Sequence, residues 1–264
     1  MPLLDDIIQY LKRERELYGD FNPAAKLDGP LPESTESNEA SSSNTAKVQE
    51  PESKEYSSTK NASNNERPDI VTQIKSCTSL SELEQLCRQA DVLHTDLEGT
   101  NLVFGVGNPH ADLMLIGEAP GAQEDKQGEP FVGPAGQLLN KILAAINFKR
   151  EDVYIANILK HRPPNNRNPL PEERKRSLPF LLKQIELIDP KLILSLGKVS
   201  AQTLLDKSGS LSSMRGRFHP FQKKYELLAT YHPAALLRHA KWKRPVWEDV
   251  QLLRKRYDEL GGTP

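Results

Sequence analysis

Four apolar runs of strand length recur along the chain between residues 112 and 231. None of them alternates strictly between apolar and polar positions, which is the pattern expected of strands that are buried on both faces. The runs predict four strands, at residues 112–117, 153–159, 191–197 and 225–231.

Segments with helical periodicity separate and follow these runs. Their apolar residues recur at three- and four-residue spacing, as on the buried face of an amphipathic helix. The pattern predicts helices at residues 134–146, 171–188 and 199–207, and a last helix at about 245–260. Strands that alternate with helices are typical of an α/β protein, in which a parallel sheet is covered by helices on both faces.

A different pattern occupies the N-terminal quarter of the chain. Residues 1–19 predict a short amphipathic helix, with one apolar face formed by Leu3, Leu4, Ile7, Ile8 and Leu11. This helix either docks on its own domain or frays, or it docks on a partner protein. Residues 20–68 are acidic and rich in serine, so they bury too little apolar area to offset the entropy of ordering. We predict a disordered linker there, followed by one domain at 69–264.

Composition and charge restrict the class of protein further. Of the 264 residues, 27% are charged and 37% are hydrophobic. No apolar run approaches the ~20 residues of a membrane helix, and the acidic N-terminus does not resemble a signal peptide. The only cysteines, Cys77 and Cys87, favour a reducing compartment, with the cytoplasm as the default.

The charge is distributed unevenly along the chain. Residues 1–66 carry 7 basic against 13 acidic residues, whereas residues 67–264 carry 28 against 23. A mildly basic domain permits nucleic-acid binding but does not demonstrate it.

Candidate chemistry lies where the predicted strands end. In parallel sheets, ligands bind in the crevice at the carboxyl ends of the strands. The loop after the first strand has glycines that permit the close approach of a ligand, carboxylates at Glu118 and Glu124, and an aromatic residue, Phe131. Phe131 either anchors this loop or forms part of a site. The loop matches neither a Walker motif nor a GxGxxG fingerprint.

Polar and basic residues follow the second strand. Asn157 is a polar residue within an apolar strand, so it needs a partner or a purpose. The loop after it contains Lys160, His161, Arg162 and Arg167. Basic side chains on a proline-stiffened loop suit phosphate contacts, although a solvated loop has the same composition.

The end of the fourth strand has a histidine followed by an apolar pair. His232 stands directly at the strand end, and a proline-held loop with Leu236, Leu237 and Arg238 comes next. An exposed apolar pair next to an arginine resembles a wedge that enters a base stack. Upstream, Arg215 lies on a predicted turn.

These stretches together resemble the family 4 uracil-DNA glycosylases. The resemblance covers residues 100–250, in the family's order and spacing, through the motifs GEAPGAQEDKQGEPFVGPAGQLL, VYIANILKHRPPNNRNPLPEE, LGKVSAQTLL, MRGRF and YHPAALLR. It implies a three-layer α/β/α fold with a central four-stranded parallel sheet. It also implies a base excision repair enzyme that flips uracil out of DNA and hydrolyses its N-glycosidic bond, leaving an abasic site.

The resemblance implies roles for three residues in holding the base. Phe131 would stack on the flipped uracil, Asn157 would bond its N3/O4 edge, and His232 would bond O2. Stacking offsets part of the cost of taking a base out of the duplex. Donors on the base stabilise the negative charge that bond cleavage leaves on uracil, as an oxyanion hole does.

The resemblance assigns the remaining site residues to the pocket wall, the water and the DNA. Glu118, Ala119 and Pro120 would shape the pocket. Because Ala119 stands where family 1 enzymes have a water-activating aspartate, Glu124 would place or polarise the attacking water. DNA contacts are implied for Arg162, Asn166, Arg167, Arg215, Leu236, Leu237 and Arg238.

The sequence departs from the family at the iron–sulfur cysteines. Family 4 enzymes typically hold a [4Fe–4S] cluster through four cysteines. Here His161 and Ser177 stand at the third and fourth positions, and Cys87 has Ala90 three residues on instead of a second cysteine. We therefore expect a chain without a cluster, another metal or a cofactor.

An active uracil-DNA glycosylase is the leading hypothesis, because the pocket residues are retained. The alternatives are a DNA-binding homologue that lost activity with the cluster, and a glycosylase for another deaminated base such as hypoxanthine or xanthine. The expected partner is DNA that contains uracil. We expect the chain to act as a monomer away from membranes, with a partner protein considered for the N-terminal helix alone.

Overall fold

A six-stranded sheet organises residues 69–262, the part of the chain that the computed structural model describes. The predicted helix at 1–19 and the predicted linker at 20–68 lie outside the described residues. The spatial order of the strands is β1-β3-β2-β4-β6-β5. They are β1 (Val106–Gly107), β2 (Leu113–Gly117), β3 (Tyr154–Asn157), β4 (Leu192–Leu196), β5 (Phe218–Phe221) and β6 (Tyr225–Thr230).

The four predicted strands form the centre of the sheet. β3, β2, β4 and β6 run parallel in that order, with Leu115 of β2 paired to Ile155 on one side and to Leu194 on the other. Every residue of β2, β3 and β4 is buried. Burial on both faces explains why these segments show no alternation of apolar and polar residues.

Helices cover the sheet and connect its strands. Those predicted from periodicity are present as α4, α5, α6 and α9, with ends within about two residues of the predicted ones. The helices of the described residues are α1 (Ile70–Ser76), α2 (Leu80–Gln89), α3 (Ala122–Gln127), α4 (Pro134–Ala145), α5 (Pro171–Ile188), α6 (Lys198–Leu205), α7 (Leu211–Met214), α8 (Pro233–Arg238) and α9 (Lys243–Glu259).

The helices lie in two layers, one on each face of the sheet. On one face, Met114 and Ile193 belong to a buried cluster with residues of α5, α6 and α7. On the other face, Leu194 and Leu196 lie among residues of α4 and α9. The predicted three-layer α/β/α fold is confirmed. No helix in the range 69–262 is long and apolar enough to cross a membrane.

The two edge strands were not predicted from the sequence. β1 has two residues and pairs antiparallel with β3, and β5 pairs antiparallel with β6. Such a short strand has too few residues for a period to show. β5 contains Pro220, which removes a ladder donor and suits only an edge position. The sheet is therefore mixed at its edges and parallel at its centre.

Candidate active site

A cavity of about 360 Å³ opens at the carboxyl ends of β2, β3 and β6. This is the place that the rule for parallel sheets predicts. The predicted site residues that line the cavity are Glu118, Ala119, Pro120, Glu124, Phe131, Asn157, Asn166, Arg167, His232 and Arg238. The remaining predicted residues, Arg162, Arg215, Leu236 and Leu237, are not among its lining residues.

The end of β2 leaves room for the cavity because it is a glycine. A Cβ atom at Gly117 would lie 2.3 Å from Asn157 Oδ1 and 2.6 Å from Phe131 Cζ. Any larger residue would therefore displace both side chains. The next residue, Glu118, is half-buried, and burial raises the pKa of its carboxyl while the charge of Arg174 acts in the opposite direction.

Asn157 ends β3 with an unpaired amide oxygen. The residue is 2% exposed, and its Oδ1 is buried without a hydrogen-bond partner. A buried polar atom without a partner costs ~1–3 kcal/mol. Such a cost is expected where a ligand supplies the missing group, so this atom marks the cavity as a binding site.

Phe131 holds its ring in the cavity from a strained backbone. Its φ is +54°, in the left-handed region, which costs a non-glycine residue ~1–3 kcal/mol. The side chain is buried, and its ring stacks on the ring of His232 with centroids 5.4 Å apart. Strain of this kind is concentrated at functional sites. Between the two interpretations from the sequence, the location in the cavity favours a site residue over a simple loop anchor.

His232 is the N-cap of α8, and its imidazole ring lines the cavity. Its Nδ1 accepts a hydrogen bond from the Ala234 amide at 3.2 Å. Burial, together with the charge of Arg238, lowers the pKa of His232 to about 4. The imidazole is therefore neutral near pH 7, and its proton is on Nε2 because Nδ1 acts as an acceptor.

Glu124 lies beside the cavity with one carboxylate oxygen already bonded. Oε1 accepts hydrogen bonds from the amides of Val132 and Gly133, at 3.0 and 2.8 Å. Gly133 is the N-cap of α4, so the carboxylate lies at the N-terminus of that helix, where the helix dipole favours a negative charge. These bonds fix the side chain in place, and its role toward water stays a prediction.

The basic loop after β3 is less exposed than the sequence suggested. Lys160 is fully buried, and its Nζ donates to the carbonyls of Phe104 and Asn157, each at 3.1 Å, and to the side chain of Gln184. His161 is also buried. Neither of the two interpretations of this loop, phosphate contact or solvation, applies to these two side chains, because both are buried inside the domain.

The predicted DNA-binding arginines differ in how many donors they have free. Arg167 lines the cavity, but its guanidinium binds both carboxylate oxygens of Glu173, at 2.7 and 2.8 Å, and also pairs with Asp96. Arg215 donates to Asp249 at 2.9 Å, outside the cavity. Arg162 donates from Nε to the Asn166 side chain at 2.7 Å. These protein contacts already occupy part of each guanidinium. The DNA contacts of the three arginines stay predictions.

The apolar pair after His232 lies on a helix, not on a loop. Leu236 and Leu237 belong to α8. Leu236 is 5% exposed and Leu237 is 42% exposed. The prediction of an exposed pair is therefore wrong for Leu236, because adjacent residues of a helix point about 100° apart.

The residues at two of the cluster positions have other partners. Ser177 Oγ donates to the Ile158 carbonyl at 2.6 Å. The ring of His161 stacks on His94 at 4.2 Å, and its Nδ1 shares a hydrogen bond with Thr100 Oγ1 at 3.0 Å. These polar contacts hold the loop after β3 at the place where the family's cysteines would bind iron.

The other cluster positions are packed into an apolar cluster. Cys87 and Ala90 are buried there together with Cys77. Burial raises the pKa of the Cys87 thiol to about 12. No three His, Cys, Asp or Glu side chains are grouped to hold a metal ion within the described range 69–262. The residues present do not fit a [4Fe–4S] cluster.

Two residues that support the site were missed by sequence reasoning. Arg150 donates to the carbonyls of Pro130 and Phe131, and Gly136 leaves the space that the Phe131 carbonyl occupies. Gly136 stands within a helical pattern, where a glycine costs ~1 kcal/mol relative to alanine and therefore suggests a packing reason. Arg150 gives no such signal, because one arginine before a strand is ordinary surface composition.

The chain is similar to known uracil-DNA glycosylases. The sequence model of the uracil DNA glycosylase superfamily matches residues 104–251. The chain is 44% identical over 201 residues to the type-4 uracil-DNA glycosylase of Archaeoglobus fulgidus, covering 74% of this chain and 92% of that protein. It is 43% identical over 158 residues to the type-4 uracil-DNA glycosylase of Thermotoga maritima, covering 59% and 82%. The type-5 uracil-DNA glycosylase of Thermus thermophilus is less similar, at 30% over 149 residues, covering 49% and 68%.

Proposed function

Because the chain belongs to the uracil-DNA glycosylase superfamily, we propose that it flips uracil out of DNA and hydrolyses the N-glycosidic bond. The products are free uracil and DNA with an abasic site. The reaction requires the base to leave the stack, because the bond is inaccessible inside a duplex.

The observation that carries this proposal is the unpaired amide of Asn157. Its buried Oδ1 has no partner in the domain, and uracil presents an N3–H donor next to the O4 acceptor. A carboxamide matches that edge with one acceptor and one donor. Cytosine has no N3–H and presents an amino group, so it would leave the amide unmatched. Buried polar groups left unpaired by the wrong substrate give strong discrimination.

His232 and Phe131 act on the same base. When the C1′–N1 bond breaks, its electron pair stays with uracil, and the negative charge spreads to O2. The neutral His232 has Nε2–H available to donate to that oxygen. Phe131 stacks on the face of the base, which is worth ~1–3 kcal/mol.

Water completes the hydrolysis. Its oxygen bonds to C1′ as the C1′–N1 bond breaks, one of its protons passes to a carboxylate or to solvent, and uracil takes up a proton from solvent. Glu124 and Glu118 line the cavity. We assign Glu124 to place the water, because its Oε1 is fixed by two backbone amides and its other oxygen stays available.

The mouth of the cavity would contact the DNA. Arg238 and Asn166 line it, and Arg238 is exposed, so it is placed for a phosphate. Leu237 is the exposed apolar residue next to Arg238, and it takes the role of the wedge.

We also propose that the chain works without an iron–sulfur cluster, as a monomer, in the cytoplasm. Support for the first statement comes from the partners of His161 and Ser177. Cys77 and Cys87 are both free, as is usual in a reducing compartment.

A cleavage assay tests the function directly. Oligonucleotides with one uracil, hypoxanthine or xanthine, single- and double-stranded, are incubated with the protein, and abasic sites are cut with alkali. We expect release of uracil and none of the other two bases. Binding without release would instead favour a DNA-binding homologue, and release of hypoxanthine or xanthine would favour a different specificity.

Asn157→Ala is the variant that connects the activity to the cavity. We expect this substitution to lower the single-turnover rate ~10²–10³-fold, because it removes one preorganised hydrogen-bond partner of the charge that develops on uracil. The matched control is Asn168→Ala, which truncates another asparagine lining the cavity. Uracil cleavage by Asn157→Ala at the wild-type rate would show that the site is misassigned.

A further inference from the structure

The ring that would stack on uracil depends on an unusual backbone conformation. Phe131 has φ +54°, a conformation that a glycine adopts easily and a phenylalanine does not. A left-handed non-glycine residue persists only when its surroundings hold it there. Because Cβ and the carbonyl are attached to the same Cα, a rotation of the backbone at this residue would also move the ring.

Arg150 binds the backbone around Phe131 through both terminal nitrogens of its guanidinium. Its Nη1 donates to the Phe131 carbonyl at 3.1 Å and to Asn140 Oδ1 at 3.3 Å, and its Nη2 donates to the Pro130 carbonyl. The side chain is half-buried. A guanidinium is suited to this task because its donors form a rigid planar fork that binds two consecutive carbonyls at once.

Gly136 also confines the same carbonyl. A Cβ atom at Gly136 would lie 1.8 Å from the Phe131 oxygen, so α4 approaches that carbonyl as closely as backbone can. The close approach of α4 and the hydrogen bond from Arg150 therefore both restrict the peptide after Phe131. The ring is then fixed beside Gly117 and His232.

Arg150 reaches Phe131 from a different part of the chain. Arg150 begins the short 3₁₀ turn Arg150–Asp152, which leads directly into β3 and Asn157 at its end. The guanidinium therefore connects the loop after β2 to the segment that precedes β3.

We propose that Arg150 is a positioning residue of the active site, which holds Phe131 in the conformation that stacks on uracil. The inference rests on the proposed uracil-DNA glycosylase activity. Arg150 itself contacts neither the base nor the water. Its effect on the reaction is transmitted through the Phe131 ring.

A double-mutant cycle between Arg150 and Phe131 tests this. The variants are Arg150→Met, Phe131→Ala and the double variant, and the measurements are kcat, KM and the inhibition constant of free uracil. We expect Arg150→Met to raise KM and the uracil inhibition constant ~10-fold to 100-fold, the size of one lost base–aromatic stack. In the Phe131→Ala background, the same change should cost less than about twofold, because no ring is left to position.

The control is Arg254→Met. Arg254 also donates to a backbone carbonyl, that of Ile146 at 3.3 Å, and pairs with Asp258, but it does not line the cavity. Its kinetics should match those of the wild type, and its melting temperature should fall about as far as that of Arg150→Met.

The outcomes separate this inference from the proposed function. If losses multiply in the double variant, or if Arg150→Met has wild-type kinetics, Arg150 does not act through Phe131. If Arg150→Met does not fold, Arg150→Lys replaces it, and an intermediate loss that vanishes with Phe131→Ala supports the inference. A loss retained in that background overturns it. A wild-type protein that releases no uracil would instead overturn the proposed function.

Discussion

His232 shows how a single side chain can serve the fold and the site together. Its Nδ1 caps α8 by accepting from the Ala234 amide, and this bond selects the tautomer with a proton on Nε2. The partly buried position keeps the ring neutral. The same contact that begins the helix therefore prepares the donor for uracil O2.

The pH dependence of the reaction follows from this residue. The pKa of His232 is lowered from 6.5 to about 4, so the neutral donor is present at every pH above about 4. We expect the single-turnover rate on uracil DNA to show no step near pH 6.5 that belongs to His232. The rate should fall only as the pH approaches 4, where protonation removes the acceptor for the Ala234 amide.

His232→Gln assigns any step that is observed. Glutamine can still donate a hydrogen bond but does not titrate. A step near pH 6.5 in the wild type that disappears in His232→Gln would contradict the lowered pKa. A step present in both proteins belongs to another group, of which Glu118 is the candidate because burial raises the pKa of its carboxyl.

At the scale of elements, α8 divides its two leucines between the core and the solvent. Leu236 is buried and Leu237 is exposed, on a helix that starts at His232. The helix thus fixes the donor, the wedge and the exposed Arg238 relative to one another. A loop with the same sequence would leave the wedge free to move.

The two leucines predict opposite phenotypes. Leu237→Ala should lower the rate on double-stranded uracil DNA ~10-fold and leave single-stranded cleavage nearly unchanged, because a wedge is needed only where a stack must be opened. Its melting temperature should stay close to that of the wild type.

Leu236→Ala is the matched control. It should lower the free energy of unfolding by ~2–5 kcal/mol, as for a buried leucine, and keep the wild-type ratio of double- to single-strand rates. If Leu236→Ala, and not Leu237→Ala, changed that ratio, the assignment of the wedge would be reversed.

At the scale of the whole molecule, internal polar contacts brace the loops that surround the pocket. Lys160 binds the carbonyl of Asn157 and the side chain of Gln184 from α5, and burial lowers its pKa to about 8. Ser177, also on α5, donates to the carbonyl of Ile158. These bonds connect the end of β3 to a helix of the outer layer.

Metal analysis tests this picture on the purified protein. We expect no stoichiometric iron or sulfide and no visible absorption after aerobic or anaerobic purification, because the four positions supply no set of thiolates. Uracil release should also be unaffected by iron chelators. Stoichiometric iron and sulfide in the active protein would contradict the prediction that no cluster is bound.

Much of the fold and of the candidate site was determined by the sequence alone. The central strands and the helices α4, α5, α6 and α9 follow from periodicity, because burial imposes a local repeat on the chain. The positions of Asn157 and His232 at the cavity follow from the rule that parallel strands end at one edge, whereas the place of Phe131 was implied by the resemblance to the family. Periodicity and strand ends can both be recognised from residues that are neighbours in the sequence.

Contacts between distant residues were decided by the tertiary structure. Lys160 lies inside because Phe104 and Gln184 supply its partners, 56 and 24 residues away. Arg150 donates a hydrogen bond to the carbonyl of Phe131, which lies 19 residues away in the sequence. No local pattern records such partners, since a basic residue has the same appearance in sequence whether its charge meets solvent, phosphate or a buried carbonyl. The loop of acids and glycines after β2 forms a wall of the pocket only because folding brings these groups together.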